Sequence, residues 1–441
     1  MSDKAQELKE LHARWNTIQE AGGPKKYIEQ ELRKKGVLRT YRPDLTSLRS
    51  EREKKQAIEA FRLEDSARKK LRAFVWEAYT AVHLAHLGLD IFWHDVLGED
   101  FFDPFERSRR LEDSDLPTLE SLSALIVALK TVVPDMDVPT LRWYCYHRDV
   151  ATTLHYKQFS IPKKSGGVRH IWAPKDNLKA MQKWILENIV ERMPIHGAAH
   201  GFVPGRSIVT NAELHTDSKL VVNVDLKDFF PTFTFRRVKG IFRAAGYMEG
   251  IATVLALICT EAPRRIVRSH ADETLYVATG KRCLPQGSPA SPMLTNVACL
   301  RLDRRLSGYA NSHGWRYSRY ADDLTFSCPA ASEETPNEKA LLDFLRMVVE
   351  EEGLTIHPDK TTIRKEGQRQ EVTGLIVNGE GSPRVPKKVR RMMRAALQNA
   401  KTGKAVEDGY DVAQLVGYGA FVHATDMDAG KAWIEAFLAL K

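Results

Sequence analysis

The stretch Trp315-Arg316-Tyr317-Ser318-Arg319-Tyr320-Ala321-Asp322-Asp323-Leu324-Thr325-Phe326-Ser327-Cys328 narrows the possible folds more than any other part of this 441-residue chain. Tyr317, Tyr320, Thr325 and Phe326 favour strands, and only Ala321 and Asp322 are needed for the bend. The spacing therefore predicts a tight β-hairpin with an acidic tip. Two adjacent carboxylates there repel each other, and folding brings them no gain unless a cation that prefers oxygen sits between them. A solvated Asp-Asp turn is the plain alternative, and the hairpin alone does not choose.

A third acid adds to the pattern. Leu220 to Val224 is an apolar, β-branched run that reads as a buried strand, and Asp225 stands at its end. On an adjacent strand of one sheet, Asp225 would join Asp322 and Asp323 in an oxygen cage for two Mg²⁺ ions roughly 3.5–4 Å apart, the arrangement used for in-line phosphoryl transfer. These residues resemble the reverse transcriptase family. Tyr320-Ala321-Asp322-Asp323 looks like its catalytic hairpin, and Asp225-Leu226-Lys227-Asp228-Phe229-Phe230 like its first metal-binding strand.

The chain is long enough for one large domain or two to three smaller ones. Its net charge of +9 and pI near 9.1 fit a polyanionic partner, with a mildly basic enzyme as the bland alternative. The five cysteines, Cys145, Cys259, Cys283, Cys299 and Cys328, are odd in number and form no close pair. They read as buried small hydrophobes in a reducing compartment, not as a disulfide frame or zinc site. The N-terminus is polar and helical without a secretory apolar core, and no run reaches the roughly eighteen to twenty apolar residues of a membrane helix. A cytoplasmic enzyme with no membrane partner is expected.

Residues 1 to about 112 read as successive helices, dense in Lys and Arg from Lys25 to Arg72. Arg52, Lys54, Lys55 and their neighbours suit phosphates, but Glu51, Glu53 and Glu59 at helical spacing fit a solvated, ion-paired face equally well. Phe74 to Leu87 is apolar enough for a core helix, on which His83 and His86 read as packing residues. Pro117 suits the first turn of a second helical unit, in which Leu119, Leu122, Ile126 and Leu129 share a face. From Phe159 to Pro174 a hairpin with a Gly166-Gly167 turn carries Lys163, Lys164 and Arg169, able to fold over a triphosphate or merely to keep the loop soluble.

Further motifs follow in the family's order. Gly201-Phe202-Val203-Pro204-Gly205-Arg206-Ser207 recurs in bacterial reverse transcriptases, and Asn211-Ala212-Glu213-Leu214-His215 matches the signature of the retron branch. Without that context Asn211 reads as a helix cap with His215 one turn on. In Leu284-Pro285-Gln286-Gly287-Ser288-Pro289, the glycine permits close approach of backbone to a nucleotide and Gln286 offers an amide. The helix after it, Met293 to Leu306, lines the nascent base pair in the family. Gly353 to Thr361 resembles the segment whose lysine, here Lys360, approaches the departing pyrophosphate as a general acid. Glu371-Val372-Thr373-Gly374-Leu375 looks like the primer-grip hairpin, in the form typical of retrons. Lys387, Lys388, Arg390, Arg391 and Arg394 form a basic helix that either tracks a nucleic-acid backbone or is simply solvated.

The resemblance covers roughly residues 140 to 440 and implies an α+β right-hand polymerase. Its parts are fingers over 113–219, an antiparallel palm over 220–384 with a fingers insertion at about 235–283, and a thumb over 385–441, preceded by the all-α extension 1–112. It implies RNA-directed DNA synthesis with Asp225, Asp322, Asp323 and the Leu226 carbonyl on two Mg²⁺ ions. Lys163, Lys164, Arg169 and Gln286 would hold the dNTP, and Phe230 would exclude a ribose 2′-hydroxyl. Arg206, Asn211 and His215 would contact RNA together with the basic helix. A retron enzyme would bind its own structured non-coding RNA, prime from an RNA 2′-hydroxyl, copy part of that RNA into single-stranded DNA and stay with the hybrid, in anti-phage defence with a separate effector protein. The rivals are a group II intron-like enzyme, expected to continue past the thumb, a diversity-generating enzyme, and a non-catalytic RNA-binding scaffold.

Overall fold

The computed structural model describes residues 114–439 apart from 147–149, 163–167, 269–273, 334–336 and 403–410, with residue 111 and short pieces at 16–17, 20–22, 26–27, 30, 50–62, 86–88 and 91–92. Most of the expected N-terminal helices, His83 and the bases at 68–72 thus lie outside the described residues. The piece 51–62 is helical, and Glu51 pairs with Lys54 one turn on at 3.0 Å, which favours the ion-paired face at that point. His86–Gly88 (β1) pairs with Ile91–Phe92 (β2), so the core helix expected through Leu87 is replaced by a strand at its end.

Two short helices lead into the body. Leu122–Lys130 is capped by the Ser121 side chain, and Val138–Cys145 by Asp137, each satisfying a backbone N–H that the first turn leaves over. Pro117 is not in the first turn as expected; it precedes the Ser121 cap by four residues. Leu119, Leu122, Ile126 and Leu129 are all buried, as their shared face requires.

At the centre is a four-stranded antiparallel sheet in the order β11-β6-β10-β9, built from Ser218–Asp225 (β6), Arg316–Tyr320 (β9), Asp323–Pro329 (β10) and Thr362–Lys365 (β11). Side chains alternate across it. Leu220, Val222 and Val224 of β6 share one face with Leu324, Phe326 and Cys328 of β10, and this face belongs to the main core. That core includes residues of the helices Phe235–Ala244, Glu249–Cys259, Ser291–Ala298, Leu300–Ser312 and Glu338–Glu351. The single helix expected from Met293 to Leu306 is two, separated at Cys299, whose backbone leaves helical geometry at φ −85°, ψ 3°.

The opposite face carries Val221, Asn223 and Asp225 of β6 with Thr325, Ser327 and Asp323 of β10. Val221 joins a second core with Ala212 of the helix Ile208–Glu213 and Val372 and Leu375 of the hairpin Glu371–Val372 (β12) and Leu375–Ile376 (β13). Met393, Leu415 and Phe437 of the last three helices, Lys387–Lys401, Val412–His423 and Met427–Leu438, complete it. β6 thus has a core on each side. Around this body stand the hairpin Tyr156–Pro162 (β4) and Val168–Pro174 (β5), and a three-stranded sheet of Val150–Ala151 (β3), Thr274–Ala278 (β8) and Arg264–Arg268 (β7). All five cysteines are free and buried. Among the described residues no helix is long and apolar enough to cross a membrane.

Candidate active site

The two strands and the bend of the 316–329 hairpin fall where the spacing puts them, with Ala321 and Asp322 alone between β9 and β10. Ala321 takes a left-handed backbone, φ 55°, a conformation that costs a residue with a β-carbon roughly 1–2 kcal/mol. Asp323 is the register partner of Asp225, so the two acids leave the same face of the sheet on neighbouring strands. The Leu226 N–H donates to the carbonyl of Asp322 at 2.9 Å, which locks the bend against the end of β6. Three acids distant in sequence are thereby gathered at one end of the sheet.

Their charge is poorly compensated. Desolvation, then the like charges of Asp322 and Asp225, push the Asp323 carboxyl up to about 7, against the opposing pull of Lys360. Asp323 is nevertheless exposed to solvent. Asp322 is raised as well, by desolvation first and Asp225 next, while Lys360 and Arg169 act the other way. Asp225 is held by Lys360, whose Nζ donates to both carboxylate oxygens at 2.9 and 3.0 Å. The pairing of Lys227 N–H with Thr355 O and of His357 N–H with Asp225 O brings the Lys360 segment alongside.

Among the described residues no three His, Cys, Asp or Glu side chains close on a common point, so the acids are gathered without forming a finished cage. The donor set still fits a hard divalent cation: the acids supply carboxylate oxygen alone, Asp322 and Asp323 are raised by desolvation and then by their like-charged neighbours, and Asp225 already draws in an ammonium.

Beside the acids opens a cleft of about 1650 Å³, whose lining includes Arg169, Asp225, Phe230, Gln286, Asp322 and Lys360. Lys163, Lys164 and the Gly166-Gly167 turn lie outside the described residues; Arg169 is exposed on β5. Phe230 is half-buried, its ring 5.7 Å from that of Phe229, which is itself anchored in the main core. Asp228 does not cap the short helix Phe229–Thr232: its backbone is left-handed and its side chain makes no capping bond. The glycine of the Gln286 loop serves a different approach from the one expected. A β-carbon on Gly287 would stand 2.8 Å from the carbonyl oxygen of Trp172, and the Gln286 carbonyl accepts from Trp172 N–H at 2.7 Å. The loop is thus pressed onto β5, and the Gln286 side chain is left half-buried at the cleft.

Three residues expected to touch RNA are turned inward. Arg206 spends its guanidinium on the carbonyls of Gly197 and Ala199, bracing the loop before the site. His215 is fully buried, with its ring nitrogens bonded to Ser327 of β10 and Ser318 of β9 at 2.8 and 2.7 Å. Burial, then Arg316 and His200, bring it down to about 3 and keep it neutral. Asn211 is neither exposed nor a cap. Ser207 caps the helix Ile208–Glu213, and Asn211 is buried inside it with no partner for either side-chain polar atom among the described residues. Asn211 in that helix and His215 in the turn after it are thus both interior. In the basic helix Lys387, Lys388, Arg391 and Arg394 are exposed, but Arg390 is half-buried and bonds Asp426 at 3.4 Å.

The motifs missed what lies beneath the bend. Arg319 and Asp303 form an ion pair with neither side chain exposed to solvent, and Tyr317 donates to the same carboxylate. Removing one partner from such a pair costs about 3–5 kcal/mol, because a charge is left buried alone. No motif marks Arg319 in the sequence; the alternation of β9 puts it with Tyr317 on the apolar face, opposite Leu324.

Carboxylates gathered beside a cleft suit chemistry on a phosphate, and the class of the chain is shown by its similarity to known proteins. The family described as Reverse transcriptase (RNA-dependent DNA polymerase) matches residues 161–378. Retron Mx162 reverse transcriptase of Myxococcus xanthus is 44% identical over 98% of this chain and 89% of its own length. Retron Mx65 reverse transcriptase of the same organism is 42% identical over 62% of each chain. Retron Ec86 reverse transcriptase of Escherichia coli is 33% identical over 68% of this chain and 83% of its own. The chain is an RNA-directed DNA polymerase with the polymerase fold. It belongs to the retron reverse transcriptases.

Proposed function

We propose that this enzyme binds its own structured non-coding RNA, primes from an RNA 2′-hydroxyl and copies part of that RNA into single-stranded DNA, with Asp225, Asp322 and Asp323 as its reacting centre. The observation that carries the site is the register of Asp323 against Asp225, with Asp322 at the adjoining bend. In this reading 1–112 is an extension, 113–219 the fingers, 220–384 the palm with an insertion at about 235–283, and 385–441 the thumb.

Two divalent cations, read as Mg²⁺ from the all-oxygen donors and held by the three acids and the Leu226 carbonyl, would when bound favour ionisation of the attacking hydroxyl and neutralise charge on the departing pyrophosphate. The chain's own groups do the rest. Arg169, with Lys163 and Lys164, holds the triphosphate by charge-assisted hydrogen bonds. Gln286, fixed through its backbone to β5, offers its amide to the incoming nucleotide. The Phe230 ring, half-buried in the lining of the cleft, would exclude a ribose 2′-hydroxyl and so favour deoxynucleotides. Lys360, paired with Asp225 in the resting chain, transfers a proton to the leaving pyrophosphate once that pair opens. The exposed Lys387, Arg391 and Arg394, one face of a helix, follow the nucleic-acid backbone. A role in anti-phage defence, with a separate effector protein, completes the reading.

Asp322→Ala combined with Asp323→Ala tests it. Deoxynucleotide incorporation should fall on the order of a thousandfold or more, with RNA binding retained. The nucleic acid that co-purifies with the wild-type chain should be a branched RNA–DNA hybrid. Undiminished incorporation overturns the site, and spliced intron RNA in place of the hybrid overturns the retron reading.

A further inference from the structure

We propose that Arg319 is a positioning residue, which fixes the backbone of the Ala321–Asp322 bend and through it the Asp322 carboxylate. The inference rests on Asp322 belonging to the reacting centre. Every branch of the Arg319 guanidinium is in use. Nε and one terminal nitrogen donate to the two oxygens of Asp303 at 2.8 and 2.7 Å. The other terminal nitrogen donates to Asn296 Oδ1 at 3.0 Å and to the Ala321 carbonyl at 3.1 Å. Asn296 in turn donates to the Gly201 carbonyl at 2.8 Å, and a β-carbon on Gly201 would stand 2.8 Å from Ala321 N. The left-handed residue Ala321 is thus gripped from two sides, by a charged donor on its oxygen and by a closely packed glycine at its nitrogen.

A fully buried ion pair is a poor way to stabilise a core, since apolar side chains of the same volume do as well or better. Its use is explained by direction. The rigid guanidinium fork spends one edge on Asp303 and aims the other at a carbonyl whose position decides where Asp322 leaves the chain. The Asp322 carbonyl then accepts from Leu226 N–H, which ties the same bend to the end of β6. A lysine retains the charge but lacks the fork and cannot make both sets of bonds.

The test uses the full chain with Arg319→Lys and, as a milder change that leaves the Asp303 pair intact, Asn296→Ala. For Arg319→Lys, kcat should fall by roughly 10- to 100-fold, the loss expected when a reacting group is displaced by about an ångström. The dNTP KM should stay within about threefold, since the interaction lost belongs to the chemical step. Amide exchange, followed by mass spectrometry, should quicken in the peptides holding 318–324 and Leu226 and stay at the wild-type rate in the helices Glu338–Glu351 and Val412–His423. Asn296→Ala should shift both readouts the same way by less, and it decides the matter alone if the lysine variant does not fold. Wild-type kcat in the folded variants, or exchange that quickens equally in those two helices, overturns the proposal and leaves the network a core ion pair. Should Asp322→Ala prove fully active, the site assignment fails, while local exchange still reports whether Arg319 holds the bend.

Discussion

The acids of the bend carry a measurable signature. The folded chain holds the Asp323 proton to about pH 7, whereas an unperturbed aspartate releases it near 3.8. Below 3.8 both states are protonated and the group contributes nothing. Between the two values only the unfolded state ionises, so stability falls as pH rises, and above about 7 the penalty is complete. In chelator, Asp323→Asn should therefore melt above wild type at pH 8, and the difference should vanish towards pH 4. A variant no more stable at pH 8 than wild type would show that the charge is compensated by other means. Phe230→Ala should lower discrimination against ribonucleotides, measured as the ratio of kcat/KM values, on the order of 10- to 100-fold. An unchanged ratio removes the ring from sugar selection. These acids were legible because an acidic pair between strand-forming residues is conspicuous. Arg319 was not, because an arginine among tyrosines and serines reads as surface until its partner, sixteen positions upstream, is known.

For the helix Lys387–Lys401 the structure sorts one basic run into two tasks. Lys387, Arg391 and Arg394 recur at i, i+4 and i+7 on the exposed side, whereas Arg390 faces Asp426 at the start of the last helix, Met427–Leu438. Replacing Lys387, Arg391 and Arg394 by Gln should make the salt dependence of RNA binding shallower by roughly two to three in log–log slope. Arg390→Gln should change it far less and instead loosen the contact with Met427–Leu438. Equal effects from the two variants would mean that the pairing with Asp426 does not persist on RNA. The motif at 211–215 shows the limit of pattern reading at this scale. Its spacing places Asn211 and His215 one helical turn apart but does not say which side of the helix is covered, and both prove to be interior. Pro117 and the break at Cys299 were missed for other reasons: the Ser121 cap, not the proline, starts the first helix, and no proline or glycine marks the break at Cys299.

Over the whole molecule, the hairpins read at 159–174 and 316–329 and the strand before Asp225 followed from alternation and turn chemistry, while the one at 371–376 came from the family resemblance. Strand order did not: nothing local tells β6 to lie between β10 and β11. Long-range pairing decides that, and it is what converts three scattered acids into a site. The placement of β6 carries a cost in freedom. A slip of one residue would exchange its two sets of side chains, driving Asn223 and Asp225 among Leu324 and Phe326 while stranding Val222 and Val224 on the polar side. Neither half of the protein can tolerate that exchange. The strand is therefore held in one register from both sides at once, and the place of Asp225 opposite Asp323 is inherited from that constraint.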